Sequence, residues 1–312
     1  MPRIHRLDAS RVHYEWNNAL APRLEIDPGD TVVFDTRDAA DGYYSRASTH
    51  ADVLARGPFR GHPLTGPVSV RGARPGDALV VDVLEVAPTA DFGWTAIRPG
   101  RGLLTDADFP KPFLQIWDLS DGHRARMGPG IAVPIEAFPG VMGTALDLPG
   151  GHSTMPPRKN GGNMDIKQLT AGTTLYLPVW VDGALFSVGD GHAAQGDGEV
   201  CVTAVEMHAR VTLRFGLLPG RRLEEPQLLT GGPLSARTNT GRHFATTAHG
   251  PDLFAAAQQA TRYMIEHLVR ERGLSREEAY ILSSVAVDLK ISEIVDAPNW
   301  IVSAFLPESV FA

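Results

Sequence analysis

The sequence predicts a mostly β protein with an α+β C-terminal part: a β-sandwich-like N-terminal region followed by further β structure. Three observations carry this expectation. Short β-branched runs that alternate with polar residues recur along the first two thirds of the chain. Thirty-two glycines and 24 prolines break the sequence so often that many short strands are favoured over long helices. Amphipathic helical periodicity is confined to the last third. With 312 residues and 43% hydrophobic composition, the chain has enough apolar surface for one large core or two to three smaller ones.

In chain order, Thr31 to Phe34, Pro67 to Val70 and Ala78 to Val86 read as strands, and two of them follow the same turn phrase, Pro28-Gly29-Asp30 and Pro75-Gly76-Asp77. From Asp91 to Gly130, glycine, proline and aromatics without a clear period predict long loops with a few strands. Strand signals resume at Ile131 to Ile135, Thr173 to Val181, Ala184 to Val188 and Glu199 to Phe215. In the last of these, Val200, Val202, Ala204, Glu206 and His208 share one face, with Cys201, Thr203, Val205 and Met207 on the other. Asp182-Gly183 between two apolar runs predicts a hairpin.

Asp252 to Glu271 lines up Leu253, Ala256, Ala260, Tyr263, Met264, His267 and Leu268 on one helical stripe, and the helix ends at Gly273. Ser275 to Leu289 opens with a capping box, Ser275 and Glu278. Trp300 to Leu306 predicts a closing strand. The organisation expected is residues 1–90 with 131–215 as the β core carrying the site, 91–130 as a loop-rich insertion, and 216–312 as an α+β region.

Composition narrows the partners. The net charge of -7 is spread along the chain without a Lys/Arg cluster, so no nucleic-acid partner is expected. The N-terminal residues lack a signal-like apolar stretch and no run of about 18 apolar residues occurs, so neither is a membrane span. The single cysteine, Cys201, cannot form an internal disulfide, and a cytoplasmic protein is expected. In mid-strand it reads as a small buried hydrophobe rather than a nucleophile. Paired helices and short β edges suggest a homodimer or larger homo-oligomer.

Two segments stand out chemically. Gly189-Asp-Gly-His-Ala-Ala-Gln-Gly-Asp-Gly-Glu199 holds four glycines, three carboxylates and a histidine. Glycine at that density calls for left-handed turns or for close approach to bare backbone, and clustered carboxylates raise a pKa or call for a cation. If extended, Asp190 and His192 point the same way, as do Asp197 and Glu199. A glycine-rich turn with solvated acids is the competing reading. Asn160-Gly-Gly-Asn-Met-Asp165 joins amides that can donate to an oxyanion with a carboxylate that can hold a metal or activate water; an Asx-turn loop explains it equally well. His62, at a loop rim before a strand, His50 with Asp52, His152 and Glu136 are weaker candidates. No Gly-x-Ser-x-Gly elbow, Walker loop, dinucleotide fingerprint, His-Glu-x-x-His or EF-hand pattern occurs, and no Ser-Ser-Lys amidase signature does either. What remains is carboxylates, histidine and water.

These segments, with His62-Pro-Leu-Thr-Gly-Pro67, Pro75-Gly-Asp77, Phe138-Pro-Gly-Val-Met-Gly143, Pro156-Pro-Arg158, Leu175-Tyr-Leu-Pro-Val179 and Gly183-Ala-Leu-Phe-Ser187, resemble the acetamidase/formamidase family, in family order over most of the chain. The resemblance implies hydrolysis of a short linear amide, such as formamide or acetamide, to carboxylate and ammonia. It also implies a divalent metal, zinc rather than calcium. Carried over by position, Asp165, Asp190, His192 and Asp197 are the metal candidates, and Asp165, Glu136, Asn163 and Glu199 the catalytic ones. Cyclic amides are the alternative substrate, given Phe92, Trp94, Phe113 and Trp117 in the loop-rich stretch. A non-catalytic module binding its ligand through calcium is the alternative class.

Overall fold

The computed structural model describes residues 1–104, 107–232, 234 and 241–311. Two sheets pack face to face. In the first, of six strands, Ala209–Leu218 lies between Thr31–Thr36 and Ala78–Pro88. Its alternation is explicit in burial: Ala209, Val211, Leu213 and Phe215 point inward, while Arg210 and Arg214 point outward. There they pair with the cross-strand carboxylates of Asp35 and Asp82. Such exposed pairs fix register more than they stabilise.

The second sheet, of ten strands, runs through Phe92–Ile97, Glu206–Met207, Phe186–His192, Phe138–Gly143 and Gly161–Asn163. Its central strand, Phe186–His192, is buried along its whole length. The two sheets meet at an aromatic trio in which Phe186 of the second packs 6.1 Å from Phe34 and 5.1 Å from Phe215 of the first. Edge and tilted contacts of this kind add to the apolar burial of each ring.

The mostly β expectation with an α+β end holds. The long helix Leu253–Arg272 is capped by Asp252, whose carboxylate accepts the Ala255 N–H, and it closes at Gly273 in the left-handed conformation. Arg276–Ala286 carries the Ser275/Glu278 capping box. Both helices pack with a three-stranded sheet that includes Trp300–Pro307.

Four local readings change. The stretch 91–130, expected as long loops with a few strands in a separate insertion, has those strands, Phe92–Ile97, Phe113–Asp118 and Arg124–Gly128, and they are built into the second sheet. Of its aromatics, Trp94 lines a cavity, whereas Trp117 is fully buried in packing and its indole N–H donates to Thr95 Oγ1 at 2.9 Å. Asp182-Gly183 makes a turn but no hairpin, because Thr174–Pro178 belongs to the first sheet and Phe186–His192 to the second. Glu199 to Phe215 is not one strand. Residues up to Val205 form a turn-rich loop, followed by Glu206–Met207 and Ala209–Leu218 in different sheets. A short helix, His50–Ala55, also lies outside the last third, and its Asp52 closes a capping box with Thr49.

Candidate active site

The buried middle of the second sheet holds a cluster of carboxylates and imidazoles. On Phe186–His192, alternation turns Asp190 and His192 to one side, and His192 Nε2 lies 3.4 Å from Asp190 Oδ2. The adjoining strand supplies Glu206, whose Oε2 lies 3.4 Å from the same nitrogen. His62 Nε2 approaches Asp190 Oδ2 from the far side at 3.7 Å. Asp165 and Glu199 complete the cluster from loops, with ligand atoms of Asp165, His192 and Glu199 lying within 4.8 Å of one another, as do those of Asp190, His192 and Glu206.

Two glycines permit this convergence. A Cβ at Gly140 would sit 2.6 Å from Asp165 Oδ1, 2.8 Å from His192 Cε1 and 2.9 Å from Asp190 Oδ2. One at Gly191 would meet the Ala209 side chain at 2.6 Å. The glycine density read from the sequence is thus partly close packing of backbone. The three loop and strand carboxylates also carry left-handed backbone: φ is 48° at Asp165, 60° at Asp190 and 42° at Glu199. These are three of the seven non-glycine residues with positive φ among the described residues, a concentration of strain at one site.

Hydrogen bonds fix the orientation of His192. Gln195 Nε2 donates to the Asp165 carbonyl at 2.7 Å, which turns Gln195 Oε1 toward His192 Nδ1 at 2.9 Å. Nδ1 therefore carries a proton, and Nε2 faces the carboxylates. At 3.4 Å from both it makes no good hydrogen bond. His192 Nε2, Glu206 Oε2, Asp190 Oδ1 and Asp165 Oδ1 are all buried without a hydrogen-bond partner. Several acceptors converging on one buried point require positive charge. The titration tendencies agree. Burial lowers the His192 pKa, but the Glu206 and Asp190 carboxylates outweigh it and hold the ring well above its ordinary value. Burial would raise Asp190, yet His192 and then His62 hold it below the usual carboxylate range. Burial pushes His62 down against the pull of Asp190.

Burial raises Glu206 to about 8 against the pull of His192. It raises Asp165 to about 7, with Asp190 adding to the rise, and lifts Glu199 well above its ordinary value, with the Asp165 charge adding. These groups open into a cavity of about 590 Å³ whose apolar wall includes Val53, Tyr44, Phe59, Trp94 and Met155. Asn163 also lines it, with a buried Oδ1 that has no partner.

Of the residues singled out in the sequence, the structure brings together Asp165, Asp190, His192, Glu199, Asn163 and His62. Asp197 and Glu136 lie elsewhere. The Asp197 carboxylate is 3.7 Å from Lys167 Nζ, and the Asp197 backbone N–H donates to Asp288 at 3.0 Å. It turns away because the two residues on either side of Gly198 do not continue the strand. Glu136 lines a different cavity of about 480 Å³ together with Lys167 and Gln168. His50 accepts the Leu114 N–H and stacks on Phe113; His152 Nε2 lies near the Pro149 carbonyl at 3.2 Å. Cys201 is buried, its N–H donating to Ser284 Oγ, and burial raises the thiol to about 11. Glu206 was missed as a ligand candidate. Its neighbours on the expected strand face, Val200, Val202 and Ala204 with His208 beyond, gave only a partial signal, because alternation alone does not tell a buried acid from a solvated one.

A two-sheet β protein with a buried carboxylate–imidazole centre has groups suited to general acid–base or metal-assisted chemistry, and its one cysteine is buried with a raised pKa. Comparison with known proteins makes this specific. The chain belongs to the acetamidase/formamidase family, whose model matches residues 3–149 and 148–312. It is 30% identical to a formamidase of Methylophilus methylotrophus, covering 96% of this chain and 89% of that one. An acetamidase of Mycolicibacterium smegmatis is 29% identical over 67% of this chain and 66% of its own. Among solved structures, a gamma lactamase from Delftia acidovorans superposes with a TM-score of 0.91 at 27% identity, covering 98% and 93% of the two chains. The acetamidase of Bacillus halodurans gives 0.68 at 34% identity, covering 96% of each. The family and fold read from the ordered sequence phrases therefore hold.

Proposed function

We propose that the protein hydrolyses the C–N bond of short linear amides to carboxylate and ammonia, with water as the nucleophile. The observation that carries this is the convergence of Asp165, Asp190, Glu199 and Glu206, with His192 behind them, on a cavity where, among the described lining residues, no serine or cysteine is hydrogen-bonded to a basic side chain. The donor set fits a divalent cation. Asp190, His192 and Glu206 would hold it, since their unpartnered atoms already face one another and Gln195 orients the imidazole from behind. Mixed imidazole and carboxylate donors favour zinc over the all-oxygen preference of calcium. When bound, the cation would polarise the amide carbonyl and acidify water.

The remaining groups divide the proton work. Asp165 and Glu199 are paired carboxylates in low dielectric, so one proton shared between them is favoured over two charges. Asp165 takes the proton of the attacking water, and Glu199 delivers one to the departing nitrogen. Asn163 would donate its Nδ2 N–H to the developing oxyanion, while its buried Oδ1, an acceptor without a partner, is free to take an N–H of the substrate amide. His62 holds the Asp190 carboxylate, and its own ring is held by Thr154 Oγ1 at 3.1 Å. Glu136 and Asp197 have no part in this scheme. A buried single thiol suits a cytoplasmic enzyme, and a homo-oligomer is proposed on the strength of the short open sheet edges.

The test is ammonia release from formamide, acetamide and propionamide by the purified protein and by Asp165→Asn. Asparagine tolerates left-handed backbone, so the variant should fold and lose at least about 100-fold in kcat/KM. A folded variant with normal turnover removes Asp165 from the mechanism. Cyclic amides are the second reading. The 0.91 superposition on a gamma lactamase and a cavity larger than acetamide needs favour it, and ring-opened product from a small lactam would establish it.

A further inference from the structure

The cavity that holds the acids is also lined by three arginines, Arg56, Arg98 and Arg101. Their chemistry has no role in activating water or in binding a neutral two-carbon amide. Arg56 and Arg98 are steadied by backbone carbonyls: Arg56 Nη2 donates to Ala39 at 2.7 Å, and Arg98 Nη2 to Gly57 at 3.1 Å. Among the described residues, no carboxylate lies within ion-pairing distance of any of the three, although the same chain pairs Arg3, Arg46, Arg71, Arg210, Arg214 and Arg262 with acids. Their positive charge is thus left without a carboxylate partner among the described residues, beside the same cavity. Arg56 and Arg98 both act on the Tyr44 hydroxyl, and Arg56 also acts on His62, the imidazole beside Asp190. The basic group therefore adjoins the acid cluster. Trp94, in the same wall and 2% exposed, has a buried indole N–H with no acceptor, a further donor awaiting an oxygen.

A cavity with water-activating acids at one place and unpaired guanidinium groups at another fits a substrate with two different ends. Guanidinium binds carboxylate in a fork of two hydrogen bonds, and Arg56 and Arg98, half-buried, and Arg101, exposed, are open to an incoming ligand. A volume of about 590 Å³ lies in the range that encloses ligands well beyond acetamide. Resting on the amide-hydrolase reading above, we propose that the preferred substrates are amides whose far end carries a carboxylate, the monoamides of short dicarboxylic acids, with Arg98, Arg101 and Arg56 binding that carboxylate. The products are the dicarboxylate and ammonium: water adds across the C–N bond, its oxygen goes to carbon and both of its protons to the leaving nitrogen, which is read as ammonia release.

The experiment compares malonamate, succinamate and glutaramate with their neutral diamides, measuring kcat/KM by ammonia release for the wild type, Arg98→Gln, Arg98→Lys and Arg101→Gln, with thermal melting as a check of folding. At least one monoamide should exceed its diamide by tenfold or more, chiefly through KM. That ratio should fall toward one in the glutamine variants and survive in part in Arg98→Lys. Rising salt should weaken the preference in part, since Arg101 is exposed and Arg56 and Arg98 are half-buried. If every diamide is turned over as well as its monoamide, the inference is wrong while the amide-hydrolase reading stands. If no amide releases ammonia, that reading fails, and succinate binding by calorimetry then judges the arginines separately. Binding weakened tenfold or more in Arg98→Gln supports the carboxylate site, and equal or absent binding overturns it.

Discussion

Replacing Gly140 by alanine adds a single methyl group to the strand that underlies the acid cluster. The backbone there does not need positive φ, so alanine costs nothing in conformation. The methyl would, however, lie 2.6 to 2.9 Å from Asp165 Oδ1, His192 Cε1 and Asp190 Oδ2, where ordinary contact begins at 3.4 Å. The three groups must retreat by about 0.5 to 0.8 Å. Metal–ligand distances tolerate only about 0.2 Å, and misplacement of reacting groups by about 1 Å costs on the order of 100-fold in rate. Overpacking of a dense core costs about 1–3 kcal/mol, which a chain with this large a core should survive. Gly140→Ala is therefore expected to fold, to melt a few degrees lower, and to lose about 100-fold in kcat/KM for acetamide. Steady-state ammonia release beside a thermal melt measures both. A folded variant within threefold of wild type would show that Asp165, Asp190 and His192 need not be where they are for catalysis, and the assignment of the site would fall.

Three further outcomes follow from particular contacts. Glu206→Gln keeps the shape of the side chain but removes one of the two carboxylates facing His192 Nε2, so bound divalent metal and amide turnover should fall together, each by at least about tenfold; elemental analysis and ammonia release decide it, and unchanged metal content would exclude Glu206 as a ligand. Lys167, buried between Asp288 and Asp197, should be costly to neutralise: Lys167→Met is expected to lose about 3 kcal/mol in urea unfolding, with Asp288→Asn in the same chain recovering much of it, and a loss below about 1 kcal/mol would contradict the buried pairing. Asp30 accepts the Arg3 and Asp27 N–H groups and contacts His5; burial would raise its carboxyl, but these bonds hold it at about 2. Its contribution is therefore present above the ordinary carboxylate pKa and is lost as pH falls through 2, so the stability advantage over Asp30→Asn, about 2 kcal/mol at pH 6, should shrink from pH 4 downward in denaturant titrations, and a constant gap would refute the linkage.

How much could be read from the sequence depended on whether the signal was local. Alternation in Thr31–Thr36 and Ala209–Leu218, the Ser275/Glu278 capping box and the Gly273 terminus are written in neighbouring residues, and they were legible. The Asp182-Gly183 turn was legible as a turn, but which strand each arm joins is decided by sheets formed from distant segments. The acids of the site were visible as glycine-embedded carboxylates. Their sorting was not: Asp197 and Glu199 are two residues apart, yet one serves Lys167 and the other enters the cavity. Glu206 lay hidden in a strand pattern, because only the packing of two sheets tells a buried acid from a solvated one. The three arginines of the cavity come from the His50–Ala55 helix end and the loop after Phe92–Ile97, with no motif to link them.

The left-handed backbone at Asp165, Asp190 and Glu199 has a consequence for how this chain can change. At each of these positions glycine would relax the main chain and remove a buried carboxylate at once. A library sorted for survival of heating alone should drift toward glycine or asparagine there, and its hardiest members should be inactive. Selection for turnover must oppose that drift generation after generation, so in this lineage durability and chemistry compete for the same three residues.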